Sequence, residues 1–231
     1  METGEVKEVA NELIGLEGNK IFRTFKGLTT KPGQVIKEYC DGEKLKYLSP
    51  VFYFSGVSGI AYYLQSQGAD FKQMKEVEWW KGEFSSVFGI LLSSAKVDNV
   101  ISYVFNQTVL NIISLPITLF ITWLVFRKQN ASFRNSSWYA LYTWAHSTLI
   151  LTPSLLLFWL HNIFILNIFI LDIFKFASSL LAIGYLVWAA MQFYQIKVGK
   201  AILLILLRLI IVSIFTFLIL GLLIFMIYSY S

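Results

Sequence analysis

His146 and Arg208 are the side chains whose type and position could do chemistry. Each lies about eight residues inside a long charge-poor run, a depth of roughly 12 Å along a helix. With no carboxylate nearby in the sequence, an imidazole and a guanidinium at that level would suit an anionic headgroup or a diphosphate. The competing expectation is structural: Arg208 extends its charge to the interface, and His146 makes an interhelical hydrogen bond.

Catalytic constellations are missing. His146 and His161 are the 2 histidines, expected at different depths, and no serine and acid can be placed beside either for a nucleophilic site. There is no His-Glu-x-x-His zinc pattern and no phosphate-cradling glycine run. Cys40 is the single cysteine; it allows neither an intrachain disulfide nor a cysteine-based zinc site, and reads as a small apolar residue on a helix face. No catalytic, cofactor or metal-binding residue is therefore expected. Asp70, Glu76, Glu78 and Glu83 read as charges of a solvated loop. No acid occurs between Asp98 and Asp172, which counts against proton- or sodium-coupled transport, since such carriers rely on intramembrane carboxylates. Asn106, Gln107 and Asn111 read as amide contacts between helices, with a polar pore or pocket as the alternative, and Pro116 and Pro153 as sites where helices kink.

These residues must be positioned by membrane helices. Of the 231 residues, 56% are apolar and 14% charged, with 20 Phe and a mean hydropathy of +0.62. Soluble domains carry about 25% charge, and disorder requires low hydrophobicity, so a soluble enzyme and a disordered chain are both excluded. Crossing about 30 Å of hydrocarbon takes roughly 20 helical residues. The sequence is accordingly expected to be all-α and polytopic, with about five transmembrane helices near 50–66, 103–126, 138–160, 174–195 and 201–228. The N-terminus has no apolar signal segment. Five spans with the N-terminus inside place every basic residue but Lys72, Lys75, Lys81, Lys96 and Lys175 on the inner side. Removing the first span would put Arg127, Lys128 and Arg134 opposite the basic head, against the positive-inside bias. The C-terminus is then outside, and the chain divides into a cytoplasmic head, 1–49, and a membrane domain, 50–231. The basic balance, pI near 9.2, follows from this asymmetry and from anionic headgroups at the cytoplasmic face; nucleic-acid binding is not expected.

Within the head, residues 1–19 read as an acidic amphipathic helix. From Lys20 the sign reverses, and Ile21, Phe22, Phe25 and Leu28 share a face flanked by Lys20, Arg23 and Lys26, the composition of a helix lying in the headgroup layer. Thr30 could cap a second short helix with Pro32 in its first turn, Val35, Ile36 and Tyr39 forming its apolar stripe and Gly42 ending it. Ser49 and Pro50 repeat the cap-and-proline signal before the first span. The segment reads as two interfacial helices feeding a membrane helix.

Arg23-Thr24, Leu28, Pro32-Gly33, Val35-Ile36, Tyr39, Gly42, Tyr47 and Pro50 with Tyr53 resemble the N-terminal signature of a family of uncharacterised bacterial inner-membrane proteins known only as a domain of unknown function. The resemblance covers roughly residues 22–54. Members commonly carry a zinc-ribbon-like leader before the motif, absent here, and two basic residues after the motif glycine, where this chain has Glu43-Lys44. The resemblance implies a bacterial inner-membrane location and a multi-pass topology, and no chemistry.

The outer loop, about 67–102, holds Trp79 and Trp80 beside charges, then Phe84, Val87, Phe88, Leu91 and Leu92 at helical spacing. Too short to span, this reads as an amphipathic helix on the outer leaflet, a lid on the bundle, or a partner surface. The tandem NIFIL repeat, 162–171, reads as an apolar connector, a half-helix or part of the fourth span.

The expected function is that of a non-enzymatic inner-membrane protein, an accessory or scaffold subunit that docks a membrane-protein partner. The alternative is lipid handling or small-solute transport without ion coupling, using a pocket near His146 and Arg208.

Overall fold

A computed structural model describes residues 20–68, 107–129, 131–164 and 168–230. All regular structure among them is helical, as the sequence predicts. Residues 20–30 form α1, followed by α2 (Pro32–Cys40), α3 (Pro50–Gly68), α4 (Gln107–Phe126) with a 3-10 turn at Arg127–Gln129, α5 (Phe133–Phe164), α6 (Ile168–Tyr194) and α7 (Val198–Tyr230). The acidic stretch 1–19, the outer loop with Trp79, Trp80, Phe84 and Phe88, and Asn106 lie outside the described residues.

α5 is the central helix: α3, α4 and α6 all pack on it, while α7 closes against α4 and α6 and α2 lies across α6 and α5. The deepest layer is aromatic. Phe126 stacks on Tyr194 with ring centres 4.2 Å apart, Tyr139 stacks on Phe193 at 5.4 Å, and Tyr142 is fully buried beside them. Burying these large rings is the main apolar gain at this end of the bundle.

Two helices among the described residues are long and apolar enough to cross a membrane, over Phe169–Tyr194 (mean hydropathy 1.7) and Val198–Ile219 (mean hydropathy 3.0). By that measure the described residues show two spans, not the about five expected. α3 dilutes its apolar residues with Ser55, Gly56, Ser58 and Gly59. α5 carries Ser137, Thr143, Ser147, Thr148, Thr152 and Ser154, whose hydroxyls all donate to carbonyls three or four residues back. Such bonds hide the hydroxyl from an apolar environment while hydropathy still counts it as polar.

Element boundaries shift as well. α5 begins before the expected 138 and runs to Phe164, and α6 begins at Ile168 rather than 174. The NIFIL repeat is divided: Asn162 to Phe164 belong to α5 and Ile168 to Leu171 to α6, and 165–167 lie outside the described residues. Pro116 and Pro153 lie inside continuous helices.

The two short helices before α3 also part ways. α1 leaves Ile21, Phe22 and Phe25 exposed and buries Thr24 and Leu28, which fits the headgroup-layer reading. α2 does not rest on a surface of its own: its stripe of Val35, Ile36 and Tyr39 is buried in the same core as Tyr139 and Tyr142.

Candidate functional site

Residues 20–50 form a cap locked onto the bundle, and the motif residues do the locking. Pro32 opens α2 in the first turn, where its missing N–H costs nothing; the cap position is Lys31, not Thr30, whose hydroxyl instead donates back to the Lys26 carbonyl. Gly33 then meets α6 face to face. A Cβ on it would lie 2.2 Å from Gln192 Cβ and 2.4 Å from the Phe193 nitrogen, and its N–H donates to Gln192 Oε1 at 3.1 Å. Only glycine permits that approach. Gly42 follows α2 with φ of +116°, a conformation that side chains rarely tolerate.

The return segment is fastened next. Thr24 is fully buried and its hydroxyl accepts from the Leu48 N–H at 2.9 Å, while the Tyr142 hydroxyl donates to the Leu48 carbonyl. Ser49 Oγ caps α3 by accepting from Phe52 N–H, and Pro50 is buried behind it. Glu38 gathers Lys46 Nζ at 2.5 Å, the Tyr47 hydroxyl at 2.7 Å and, on its other oxygen, Gln34. The Lys46 and Tyr47 bonds hold its carboxyl down at about 2. Tyr39 meets Trp138 and Tyr142 edge-on. Arg23 is exposed. Cys40 is half-buried, and burial beside Asp41 pushes its thiol up to about 11, so it stays protonated, as a packing residue would.

His146 sits where α1, α3 and α6 meet α5. Its Nδ1 is 2.9 Å from the Tyr53 hydroxyl and its Nε2 3.3 Å from Thr29 Oγ1. Thr29 already donates its proton to the Phe25 carbonyl at 2.8 Å, so it can only accept from His146; Nε2 then carries the ring proton and Tyr53 donates to Nδ1. The rings of Tyr185 at 4.9 Å, Phe25 at 5.6 Å and Tyr53 at 6.4 Å enclose the imidazole.

Arg208 is placed elsewhere. It is 4% exposed, and its Nε and Nη1 are buried with no hydrogen-bond partner. It lines a cavity of about 390 Å³ between α4, α5, α6 and α7, together with Thr118, Trp144, Ser147, Leu151, Ser179 and Val212 among others. Trp144 and Ser147 flank His146 in sequence, yet they face this cavity while the imidazole faces α1 and α3. The structure thus gives the two candidate residues separate surroundings, and Arg208 does not extend to an outer surface. Among the described residues no three His, Cys, Asp or Glu side chains converge.

Residues 19–62 match a family described as a protein of unknown function (DUF3667). No curated protein and no solved structure matches the chain. The matched stretch contains the cap and most of α3, and the family's description carries no activity. What the cap residues do here is mechanical: they set a close helix crossing, a turn and a capped helix start.

The sequence reading passed over Gln192, Tyr139, Tyr185 and Tyr194. A signal was present, because the tyrosines cluster toward the base-rich ends of the predicted third and fourth spans. Buried Tyr hydroxyls need partners, yet that of Tyr185 has none among the described residues, as with Arg208.

Proposed function

We propose that this chain is a non-enzymatic, multi-pass protein of the bacterial inner membrane, with its N-terminus cytoplasmic and its C-terminus periplasmic, serving as an accessory or scaffold subunit. On this reading α3 to α7 are the five spans, and α1 lies in the anionic cytoplasmic headgroup layer and meets the membrane-protein partner. One observation carries the reading. The rigid cap presents Ile21, Phe22 and Phe25 outward at 50%, 63% and 45% exposure, beside exposed Arg23 and Lys26, at the end of the bundle where Arg127, Lys128, Arg134, Lys197 and Lys200 also gather. The Lys200–Gln129 hydrogen bond ties the start of α7 to the end of α4. An end with an excess of bases is what the positive-inside bias demands, and a Phe-rich face among bases suits the headgroup layer.

Two measurements test this. Reporters active on one side only, fused after Lys81, Asn130, Lys200 and Ser231, are expected outside, inside, inside and outside. An inside signal at Lys81 removes the first span. Purification in mild detergent is expected to bring down a stoichiometric partner that is lost with Phe22→Ser and Phe25→Ser; a lone protein overturns the accessory role. The Arg208 cavity favours a second reading, lipid handling without ion coupling.

A further inference from the structure

A guanidinium stripped of water and left without acceptors is among the most expensive groups a protein can bury. Arg208 is in that position: two of its nitrogens are buried and unpartnered, and among the described residues no acid faces it. Among the described residues, Glu38 and Glu43 are engaged with Lys46, while Asp41 and Asp172 are exposed. The phenols of Tyr139 and Tyr194 are its titratable neighbours, and they bring no charge at neutral pH. Among the described residues nothing compensates this charge, and the cavity beside the guanidinium is where an anion from outside would enter.

We propose that Arg208 and the cavity between α4, α5, α6 and α7 form a binding site for a phosphate group carried by a lipid. The planar guanidinium matches two phosphate oxygens at once. Hydroxyls of Thr118, Ser147 and Ser179 line the same space from three helices. Ser147 and Ser179 now donate to carbonyls of their own helices; turning either proton toward an anion leaves the carbonyl its helical N–H. Donors converging from several sides suit a tetrahedral oxyanion better than a planar carboxylate. The remaining wall is apolar, through Leu151, Leu209 and Val212, and would carry the start of an acyl chain. A volume of about 390 Å³ falls at the small end of ligand pockets, enough for a headgroup phosphate and the first part of a chain. The proposal deepens the lipid-handling reading and is independent of the accessory role, since it concerns neither α1 nor the partner.

The test uses the full chain, equilibrated with vesicles of phosphatidylglycerol and phosphatidylethanolamine, exchanged into neutral detergent and weighed intact by native mass spectrometry. About one phosphatidylglycerol per chain is expected to survive exchange. Arg208→Gln is expected to lower its retention at least about tenfold, and Arg208→Lys, which keeps the charge without the fork, to retain an intermediate amount. A parallel melting series on the wild-type chain separates the sources of phosphate and does not depend on any variant folding. Phosphatidylglycerol is expected to raise the midpoint and inorganic phosphate at equal concentration to leave it unmoved. Val212→Trp, which fills the apolar wall, is expected to lose the lipid. Wild-type protein free of phospholipid, or Arg208→Gln retaining as much as wild type, overturns the site. A rise with inorganic phosphate equal to that with the lipid overturns the lipid as its source.

Discussion

The two sides of α5 treat a nitrogenous base in opposite ways. Toward the cap, His146 has a partner on each ring nitrogen and aromatic rings around it. Toward α7, Arg208 has buried nitrogens with no partner and a cavity beside it. A satisfied polar group rigidifies the elements that supply its bonds, whereas an unsatisfied one costs stability until something binds. The cap side, where the family match falls, is thus built to hold α1, α2 and α3 in one arrangement. The α7 side is built with a vacancy in its hydrogen bonding.

The sharpest way to break the cap side is at its closest approach. Gly33→Ala places a carbon 2.2 Å from Gln192 Cβ with backbone immediately behind it, so α2 cannot keep its seat. A loss of about 3 kcal/mol is expected, at the upper end of overpacking costs, together with proteolytic cleavage of the 41–49 segment that wild type resists. Melting and limited proteolysis read both effects; an unchanged midpoint would mean that the α2–α6 crossing is looser than drawn.

On the α7 side the same kind of disturbance is expected to have the opposite sign. Arg208→Met removes a buried unpaired charge and keeps much of the side-chain volume, so in neutral detergent the variant should be more stable than wild type, by about 1–4 kcal/mol if the gain resembles that for other buried charges replaced by apolar groups. Thermal melting decides the sign. A destabilised Arg208→Met would show that the guanidinium is already compensated, and the contrast between the two sides would fall.

The helical class, the role of Pro32 and Gly42 in shaping the cap, and the Ser49 start of α3 were legible in the sequence, because each is a local property of backbone or spacing. The seat of α2 was not: an apolar stripe of Val35, Ile36 and Tyr39 reads the same whether it meets lipid or protein, and only the glycine's near-contact with α6 distinguishes them. Pairing His146 with Arg208 failed for a rotational reason. Similar depth says nothing about direction, and Trp144 and Ser147 show that two faces of α5 separate within a few residues.

A milder disturbance of the His146 side sharpens the comparison further. Tyr53→Phe keeps the ring packing and leaves Nδ1 without its donor, a loss of about 1–2 kcal/mol. Combining it with His146→Leu should be less than additive, because the second change removes the group the first left unpaired. Full additivity in a double-mutant cycle on melting would mean that the 2.9 Å bond contributes nothing.

The smallest effect belongs to Glu38, which joins α2 to the return segment near the surface, where ion pairs are weak. Its carboxyl lies at about 2 against an ordinary 4.5, so the folded state favours the ionised form. Its contribution is fully present above pH 4.5 and is lost as pH falls toward 2. Glu38→Gln should therefore melt slightly below wild type at pH 7, with the gap closing as pH drops through 4 and vanishing near 2. Arg208→Met should show no such convergence, since among the described residues no carboxylate faces it. A Glu38→Gln gap that persisted at pH 2 would trace its effect to the Gln34 and Tyr47 hydrogen bonds rather than to charge, and the cap would then be held by neutral contacts alone.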